Sequence, residues 1–387
     1  MRVLFTCRPG YGHYYPLLPL ARAAAAGGHV VAVATGEPIR DVAEADGFEA
    51  FNAGPSFAAI REAFVAEFGP PAEIPREQHR AFFFGQVFTG IELPARLPEL
   101  LAIADKWQPD LIVHELSEFA GPLAAEITGI PYATCGYGPL LEPEIAEVAQ
   151  AAAARHYAAA GVAPAAARLY RSLYLDPCPP SLQVPAAGTI ERRIAVRPEP
   201  AGTGGAAAEP GRLRSLPRRP TVFVTLGTVW NQDLSFFRAV LDSLASRPVS
   251  VIAALGPGRD PAELGPQPPN VRLCEFVPHA QVLGHCDLVI CHGGAGSVLD
   301  ALSAGLPLLI APQAADHFYN AARVVAAGAG RSIPHGDLTP AAVSGEIDHL
   351  LQDARYRDAA ASIAAEIAAM PSAQDALTTL TALTTGT

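Results

Sequence analysis

The 387-residue chain has no basic stripe, no cysteine pair at zinc or redox spacing, no long apolar run and no Asp-x-Asp pair. Each absence removes a class of protein. Lysine and arginine total 27 against 38 acidic residues, a formal net charge of −11, so a partner with a phosphate backbone is not expected. The one arginine cluster, RLRSLPRR at 212–219, is short and reads as a solvated linker. Cys7, Cys135, Cys178, Cys274, Cys286 and Cys291 are scattered, which predicts free thiols in a reducing cytoplasm. Cys7 and Cys291 lie in apolar runs and are expected to be small core residues. The apolar run of MRVLFTCRPG is too short for a signal peptide, and no stretch is long enough to span a bilayer. A cytoplasmic location without a membrane span is therefore expected.

What is present suits a two-domain globular protein: half of the residues are hydrophobic and 17% are charged. Strand-like RVLFTC (2–7), HVVAVAT (29–35), FEAFNA (48–53), DLIVHE (110–115) and PYATCG (131–136) alternate with helix-like YPLLPLARAAAAGG (15–28) and SEFAGPLAAEITG (117–129). The rhythm restarts after the Gly-, Pro- and Arg-rich stretch 199–220, with TVFVTLGT (221–228), a helix near 234–246, VSVIAAL (249–255), VRLCEFV (271–277), LVICH (288–292) and LPLLIAP (306–312). Such alternation predicts α/β architecture, with parallel sheets covered on both faces. The expected domains are 1–205 and 206–371. Pro371 breaks the helical pattern, so 372–387 is expected to form a last helix that packs back on the first domain. Ligands of such sheets bind beyond the carboxyl ends of the strands, which predicts a cleft between two facing domains.

Two stretches carry chemistry. RPGYGHYYPL (8–17) has the glycine-rich turn of a nucleotide site, with Gly10 and Gly12, but Tyr15 stands where a dinucleotide fingerprint needs its third glycine. His13 occupies the turn instead. HGGAGSVLDALSAGLP (292–307) follows a buried-type strand and opens a helix, a position suited to a diphosphate. A tight turn accounts for Gly293, Gly294 and Gly296, but not for His292 and Asp300 together. Asp316 and His317 stand at the carboxyl end of the next strand, where Asp316 also suits helix capping. Residues 54–91 hold Phe57, Phe64, Phe68, Phe82, Phe83, Phe84 and Phe88. Ordinary packing of a helical insertion accounts for most of them; several lining a pocket for a large apolar ligand is the sharper reading.

The stretch HGGAGSVLDALSAGLPLLIAPQAADHFYNAARVVAAGAG resembles the donor-binding signature of the family 1 glycosyltransferases, the UDP-glycosyltransferase superfamily of inverting GT-B enzymes. MRVLFTCRPGYGHYYPLLPLARAAAAGGH, FVTLGT and the VP of EFVPHAQVL match as well, and the likeness is greatest to actinobacterial antibiotic glycosyltransferases. The resemblance implies a GT-B fold of two facing Rossmann-like, doubly wound domains. It implies a TDP- or UDP-sugar co-substrate, TDP preferred, a deoxysugar for transfer, and a hydrophobic aglycone such as a polyketide or enediyne as acceptor. It assigns Thr225, Gly227, Thr228, Phe276, Val277, His292, Gly294, Gly296, Ser297 and Asp300 to the donor nucleotide. Pro278 belongs to the same matched segment as Phe276 and Val277. The resemblance assigns Asp316 and His317 to the donor sugar, although the family usually has Gln at the latter. His13 becomes the base that takes the acceptor's proton, and Glu115 its orienting carboxylate, with Glu118 as second candidate. Tyr11, Phe57, Phe83 and Phe84 are assigned to the acceptor.

Without an Asp-x-Asp pair, the leaving diphosphate is expected to rely on the helix N-terminus and His292, with no metal and no further cofactor. A homodimer stays open. A nicotinamide-dependent oxidoreductase would use Gly10, Gly12 and Glu37, but leaves Tyr15 and the second-half signature unexplained. A non-catalytic glycosyltransferase-like auxiliary protein and a nucleotide-sugar epimerase remain as rivals.

Overall fold

Short β-branched runs alternate with alanine- and leucine-rich helices, and the computed structural model pairs the runs into two parallel sheets. The structure describes residues 1–70, 74, 78–200, 220–228 and 234–385. Most of the expected linker, and the boundary expected at 205/206, lie outside the described residues. The chain divides into two units: unit 1 holds Met1–Cys178, Val184–Arg197 and Pro371–Thr387, and unit 2 holds Pro179–Gln183 and Pro198–Met370.

Unit 1 is built on strands β1 (Arg2–Thr6), β2 (Val30–Thr35), β3 (Glu49–Asn52), β4 (Leu111–Glu115), β5 (Tyr132–Cys135), β6 (Leu173–Asp176) and β7 (Arg193–Ala195), in the order β3-β2-β1-β4-β5-β6-β7. The two-residue period of β1 sends Val3 and Phe5 to one face and Leu4 to the other. Val3 and Phe5 meet the Leu18–Ala26 helix and Ala373, Ala376, Leu377 and Leu380 of the last helix, Ala373–Thr385. Leu4 meets the Leu93–Trp107 and Ala120–Thr128 helices. Each of these three β1 side chains is at most 1% exposed, a burial worth roughly 1.5–3 kcal/mol apiece. The Ala354–Ala369 helix stops where Met370 turns extended ahead of Pro371, whose carbonyl accepts the Arg197 N–H at 2.7 Å.

The strand order of unit 1 reverses between β1 and β4, which opens a crevice at their carboxyl ends. In register Thr6 lies beside His114, so the turn after β1 and Glu115 at the end of β4 emerge together.

Unit 2 repeats the plan with β8 (Thr221–Thr225), β9 (Ser250–Ala254), β10 (Val271–Cys274), β11 (Leu288–Cys291), β12 (Leu308–Ile310) and β13 (Gly330–Ser332), ordered β10-β9-β8-β11-β12-β13. Its reversal lies between β8 and β11, where Thr225 pairs with Cys291. The residues that follow, Gly227 and His292, therefore share one crevice.

Three strands have no counterpart in the sequence reading. β7 (RIA) and β13 (GRS) are three residues long and carry arginine, so neither shows an apolar run. β6 and the Pro143–Ala159 helix likewise lie outside the alternation seen in the sequence. Phe83–Glu92, within the expected helical insertion, winds as a wide π-helix that runs into Leu93–Trp107. All six cysteines are free thiols, with Cys7 and Cys291 wholly buried. Among the described residues no helix is long and apolar enough to cross a membrane.

Candidate active site

The turn after β1 is closed by Gly10, whose extended backbone lets its carbonyl accept the His13 and Tyr14 N–H groups at 3.0 and 3.1 Å. One helical turn, Tyr11–Tyr14, results, and it carries His13. The His13 side chain is 25% exposed, and its Nδ1 lies 3.1 Å from Oε2 of the fully buried Glu115. That oxygen has no aligned hydrogen bond, so the carboxylate acts on the ring by charge and through Ser117. Ser117 Oγ sits 3.3 Å from Nδ1 and donates to Glu115 Oε1 at 2.6 Å; the Ser117 backbone N–H donates to the same oxygen at 2.6 Å. Burial raises the Glu115 pKa, but His13 and the two Ser117 donors outweigh it and hold the group at about 2. Nε2 faces Arg8 Nη1 at 3.0 Å. A guanidinium only donates, so this contact fits a lone pair on Nε2 and the proton on Nδ1.

Glu118, the second candidate partner, is engaged elsewhere. Its carboxylate accepts the Ala120 and Gly121 N–H groups at 2.8 and 2.9 Å and the Thr6 hydroxyl, at the start of the Ala120–Thr128 helix. Ser117 and Arg8 escaped the sequence reading. The first is two residues from Glu115, a spacing that could have flagged it.

The aromatic residues assigned to the acceptor divide. Tyr11 packs on Tyr15 with ring centroids 5.5 Å apart, beside His13 in the same turn. Phe83 stacks on Phe64 at 5.5 Å, within a small cluster with Phe68, Phe82 and Phe88. Phe57 is 44% exposed and belongs to no ring pair found among the described residues. Phe84 is a correction: at 3% exposure, between Phe88 and Phe119, it is core and presents no face to a ligand. Tyr137, which no motif marks in the sequence, meets the His13 ring edge-on at 5.8 Å.

In unit 2 the Ala295–Ser303 helix begins at Gly294 with no side-chain cap, leaving its first N–H groups available to an anion. His292 is packed against the two glycines that flank it in space. A Cβ on Gly227, whose φ is +70°, would come within 2.8 Å of the His292 ring, and one on Gly294 within 2.5 Å of Nε2. Glycine at both positions is what admits an imidazole beneath the loop. His292 Nδ1 is buried without an aligned partner. Burial, then the neighbouring His317, push the His292 pKa well below its usual value, so the ring is neutral. Thr225 Oγ1 accepts the Gly227 N–H at 3.0 Å and shapes the opposite side of the loop; Thr228 follows it, partly exposed. Gly296 is exposed and Ser297 half-buried at the helix start.

Asp300 is 7% exposed, and its Oδ2 lies 2.7 Å from His279 Nδ1. Phe276 is 39% exposed and free to cover a flat ring, whereas the Val277 side chain is buried. Asp316 begins the His317–Ala326 helix but does not cap it with its side chain; Asn320 Nδ2 donates to its Oδ2 instead. Ala315 precedes it at φ +51°. His317 was expected to meet the sugar directly. Its ring is 3% exposed, accepts the Ala314 N–H on Nδ1 at 3.1 Å, and stands edge-on to His292 at 4.4 Å. Burial drives its pKa down to about 3, so as placed it is a neutral buttress for His292. Among the described residues, no group of three His, Cys, Asp or Glu side chains is spaced to hold a metal ion.

The family model for the N-terminal domain of erythromycin biosynthesis protein CIII-like proteins matches residues 22–227, and the C-terminal domain model matches 238–383. The L-demethylnoviosyl transferase of Streptomyces niveus is 34% identical over 380 residues, covering 96% of this chain and 95% of that protein. The glycosyltransferase SsfS6 of Streptomyces sp. SF2575, complexed with thymidine diphosphate, is 25% identical with a TM-score of 0.82 over 99% of each chain. The spinosyn rhamnosyltransferase SpnG, complexed with spinosyn aglycone, is 26% identical with a TM-score of 0.81 over 98% of this chain and 100% of that one. With two parallel-sheet units of this topology and matches along nearly its whole length, the chain belongs to the erythromycin biosynthesis protein CIII-like group of family 1 GT-B glycosyltransferases, and it is an enzyme that transfers sugar from a nucleotide donor to a small-molecule acceptor.

Proposed function

We propose that this enzyme moves a deoxysugar from a TDP-sugar to a hydroxyl group of a hydrophobic, polyketide-type aglycone, inverting the anomeric centre and using no metal ion. UDP-sugars are the poorer donors in this reading. The arrangement that carries it is His13, with a carboxylate and a hydroxyl at Nδ1 and a lone pair at Nε2. The acceptor O–H gives its proton to Nε2, and the oxygen's electron pair forms the bond to the anomeric carbon. The bond from that carbon to the diphosphate breaks on the opposite side, and the diphosphate leaves with the pair. Glu115, directly and through Ser117, supports the positive charge that arrives on the ring.

The uncapped start of the Ala295–Ser303 helix presents about half a positive charge to the departing diphosphate. His292 adds an uncharged donor beside it. Phe276 covers the pyrimidine, Asp300 with His279 takes the ribose hydroxyls, and Asp316 takes the sugar hydroxyls. The absence of any Asp-x-Asp pair supports the metal-free form of this reading. The thymidine diphosphate held by SsfS6 and the aglycone held by SpnG support its donor and acceptor classes.

The test is thermal unfolding with TDP, UDP, ADP, GDP and NAD, followed by product analysis with TDP-sugars. A ligand at 100 times its Kd stabilises the native state by about 2.7 kcal/mol. TDP is expected to raise the unfolding temperature most, and the product to carry the inverted anomeric configuration. Stabilisation by NAD alone, or conversion of the donor sugar with no acceptor present, would replace this reading by that of an oxidoreductase or an epimerase.

A further inference from the structure

Arg8 follows the buried Cys7 at the carboxyl end of β1, and its side chain is 10% exposed. Nε lies 2.9 and 3.0 Å from the two carboxylate oxygens of Glu92, and Nη2 lies 2.5 Å from Oε1. The guanidinium carbon sits 3.6 Å from the centre of the Phe88 ring. Glu92 and Phe88 both come from the π-helical segment, which places a carboxylate at the Nε and Nη2 edge of the guanidinium and an aromatic ring against its central carbon. Arg96 Nη2 stands 3.8 Å from Glu92 Oε2. A purely structural ion pair would be complete with these contacts. Nη1 goes instead to His13 Nε2, at 3.0 Å.

That nitrogen is where an acceptor oxygen must come within roughly 3 Å to lose its proton. An oxygen that takes the position also takes over the Arg8 N–H. Before entry, Nη1–H donates to Nε2; after entry, Nη1–H donates to the acceptor oxygen, and the acceptor O–H donates to Nε2. On transfer the proton moves to Nε2 while the oxygen keeps the guanidinium hydrogen bond. The cation thus faces the atom on which negative charge develops, while Glu115 faces the opposite nitrogen of the ring.

We propose that Arg8 is a second acceptor-binding group, held by Glu92 and Phe88, and that it selects acceptors with an acidic hydroxyl, a phenol or an enol, over aliphatic alcohols. The inference rests on His13 as the base and names the acceptor class for that site.

The probe is 7-hydroxycoumarin, whose fluorescence separates phenol from phenolate. It is titrated with pH in the presence of the wild-type chain, R8K, R8M and R8M/E92Q. The double variant is included because R8M alone leaves Glu92 buried beside Arg96 only. A charge-assisted hydrogen bond of ordinary strength is worth about tenfold or more. The phenolate-to-phenol ratio of bound probe at a given pH is therefore expected to be about tenfold higher with wild type than with either Met variant, with R8K between them. No binding to wild type, no enrichment of phenolate, or equal enrichment in R8M/E92Q overturns the proposal. TDP-induced stabilisation is measured on all four proteins. Far-UV circular dichroism and a cooperative unfolding transition like those of wild type show that the mutated unit is folded and leave only the Arg8 inference at stake, whereas the absence of TDP-induced stabilisation from wild type would sink the donor reading instead.

Discussion

Asn320 Nδ2 donates to Asp316 Oδ2 across 2.8 Å, one helical turn further along the chain. The same amide reaches the Gly293 carbonyl at 2.9 Å, using its second hydrogen. A buried amide thereby ties the carboxylate proposed for the sugar to the loop proposed for the diphosphate.

Asp316→Ala is expected to lower kcat/KM for the donor roughly tenfold to a hundredfold, the loss of about 1–3 kcal/mol of hydrogen bonding to the sugar. Free TDP should bind nearly as before. Asn320→Ala should lose less donor use but also about 1–2 kcal/mol of stability, because it strips a buried carbonyl of its partner. Donor kinetics and TDP titration on both variants decide the matter. Equal losses of sugar transfer and TDP affinity in Asp316→Ala would mean that this carboxylate serves the nucleotide or the fold.

Chelation is expected to leave turnover intact. The proposed stabilisation of the diphosphate comes from the partial charge of the Ala295–Ser303 helix backbone and from a neutral His292 donor, and a chelator removes neither. Rates with excess EDTA, and after readdition of magnesium or manganese, check this. A loss on chelation that either cation restores contradicts the metal-free account.

The architecture was legible where side-chain pattern and strand coincide. RVLFT and LIVHE are apolar because both faces of β1 and β4 are covered, and their ends carry His13 and Glu115 into one crevice. β7 and β13 were not legible, since three residues with an arginine hold no periodicity. Long-range partners left no trace either. Arg8 and Glu92 are 84 residues apart, and only the π-helical winding of Phe83–Glu92 brings them together. The Phe residues of that segment look alike in sequence, yet Phe84 is core and Phe83 sits in a smaller outer cluster. Asn320 lies within a stretch whose helical character was visible, but its bond to Gly293 depends on the approach of the following helix to the loop.

Acid should destabilise the fold through two windows that overlap only below pH 4.5. His292 and His317 have lowered pKa values in the folded chain, His317 at about 3 against an ordinary 6.5. Below 6.5 the unfolded chain binds protons that the folded chain refuses, so stability is full above that pH and falls towards about 3. Glu115 acts lower: its contribution is present above 4.5 and is lost as pH falls towards about 2. Between pH 6.5 and 5 the loss therefore comes from histidines, at up to about 1.4 kcal/mol per pH unit for each proton. Urea unfolding at pH 7.5, 6.5 and 5.5 should show a shallower decline for His317→Gln than for wild type. Identical declines would mean that His317 is not held neutral by burial.

The final prediction separates the parts played at the two His13 nitrogens. General-base assistance is typically worth about 10²–10⁴ in rate. In single-turnover transfer at saturating donor, His13→Ala should lose about that much with an aliphatic alcohol and less with an acidic phenol, which ionises more readily. TDP affinity should survive, because every donor contact proposed lies in unit 2. Glu115→Gln removes the charge 3.1 Å from Nδ1 while keeping an acceptor for Ser117, so it should fold and turn over slowly. Ser117→Ala tests the hydroxyl alone: it breaks the aligned contact to Nδ1 but leaves the carboxylate in place, so its loss should be the smaller of the two. Were Ser117→Ala as slow as His13→Ala, the hydroxyl rather than the buried charge would be what holds the imidazole in its working tautomer. Were all three variants as fast as wild type, His13 would be a structural member of its turn, and the base would have to be sought elsewhere.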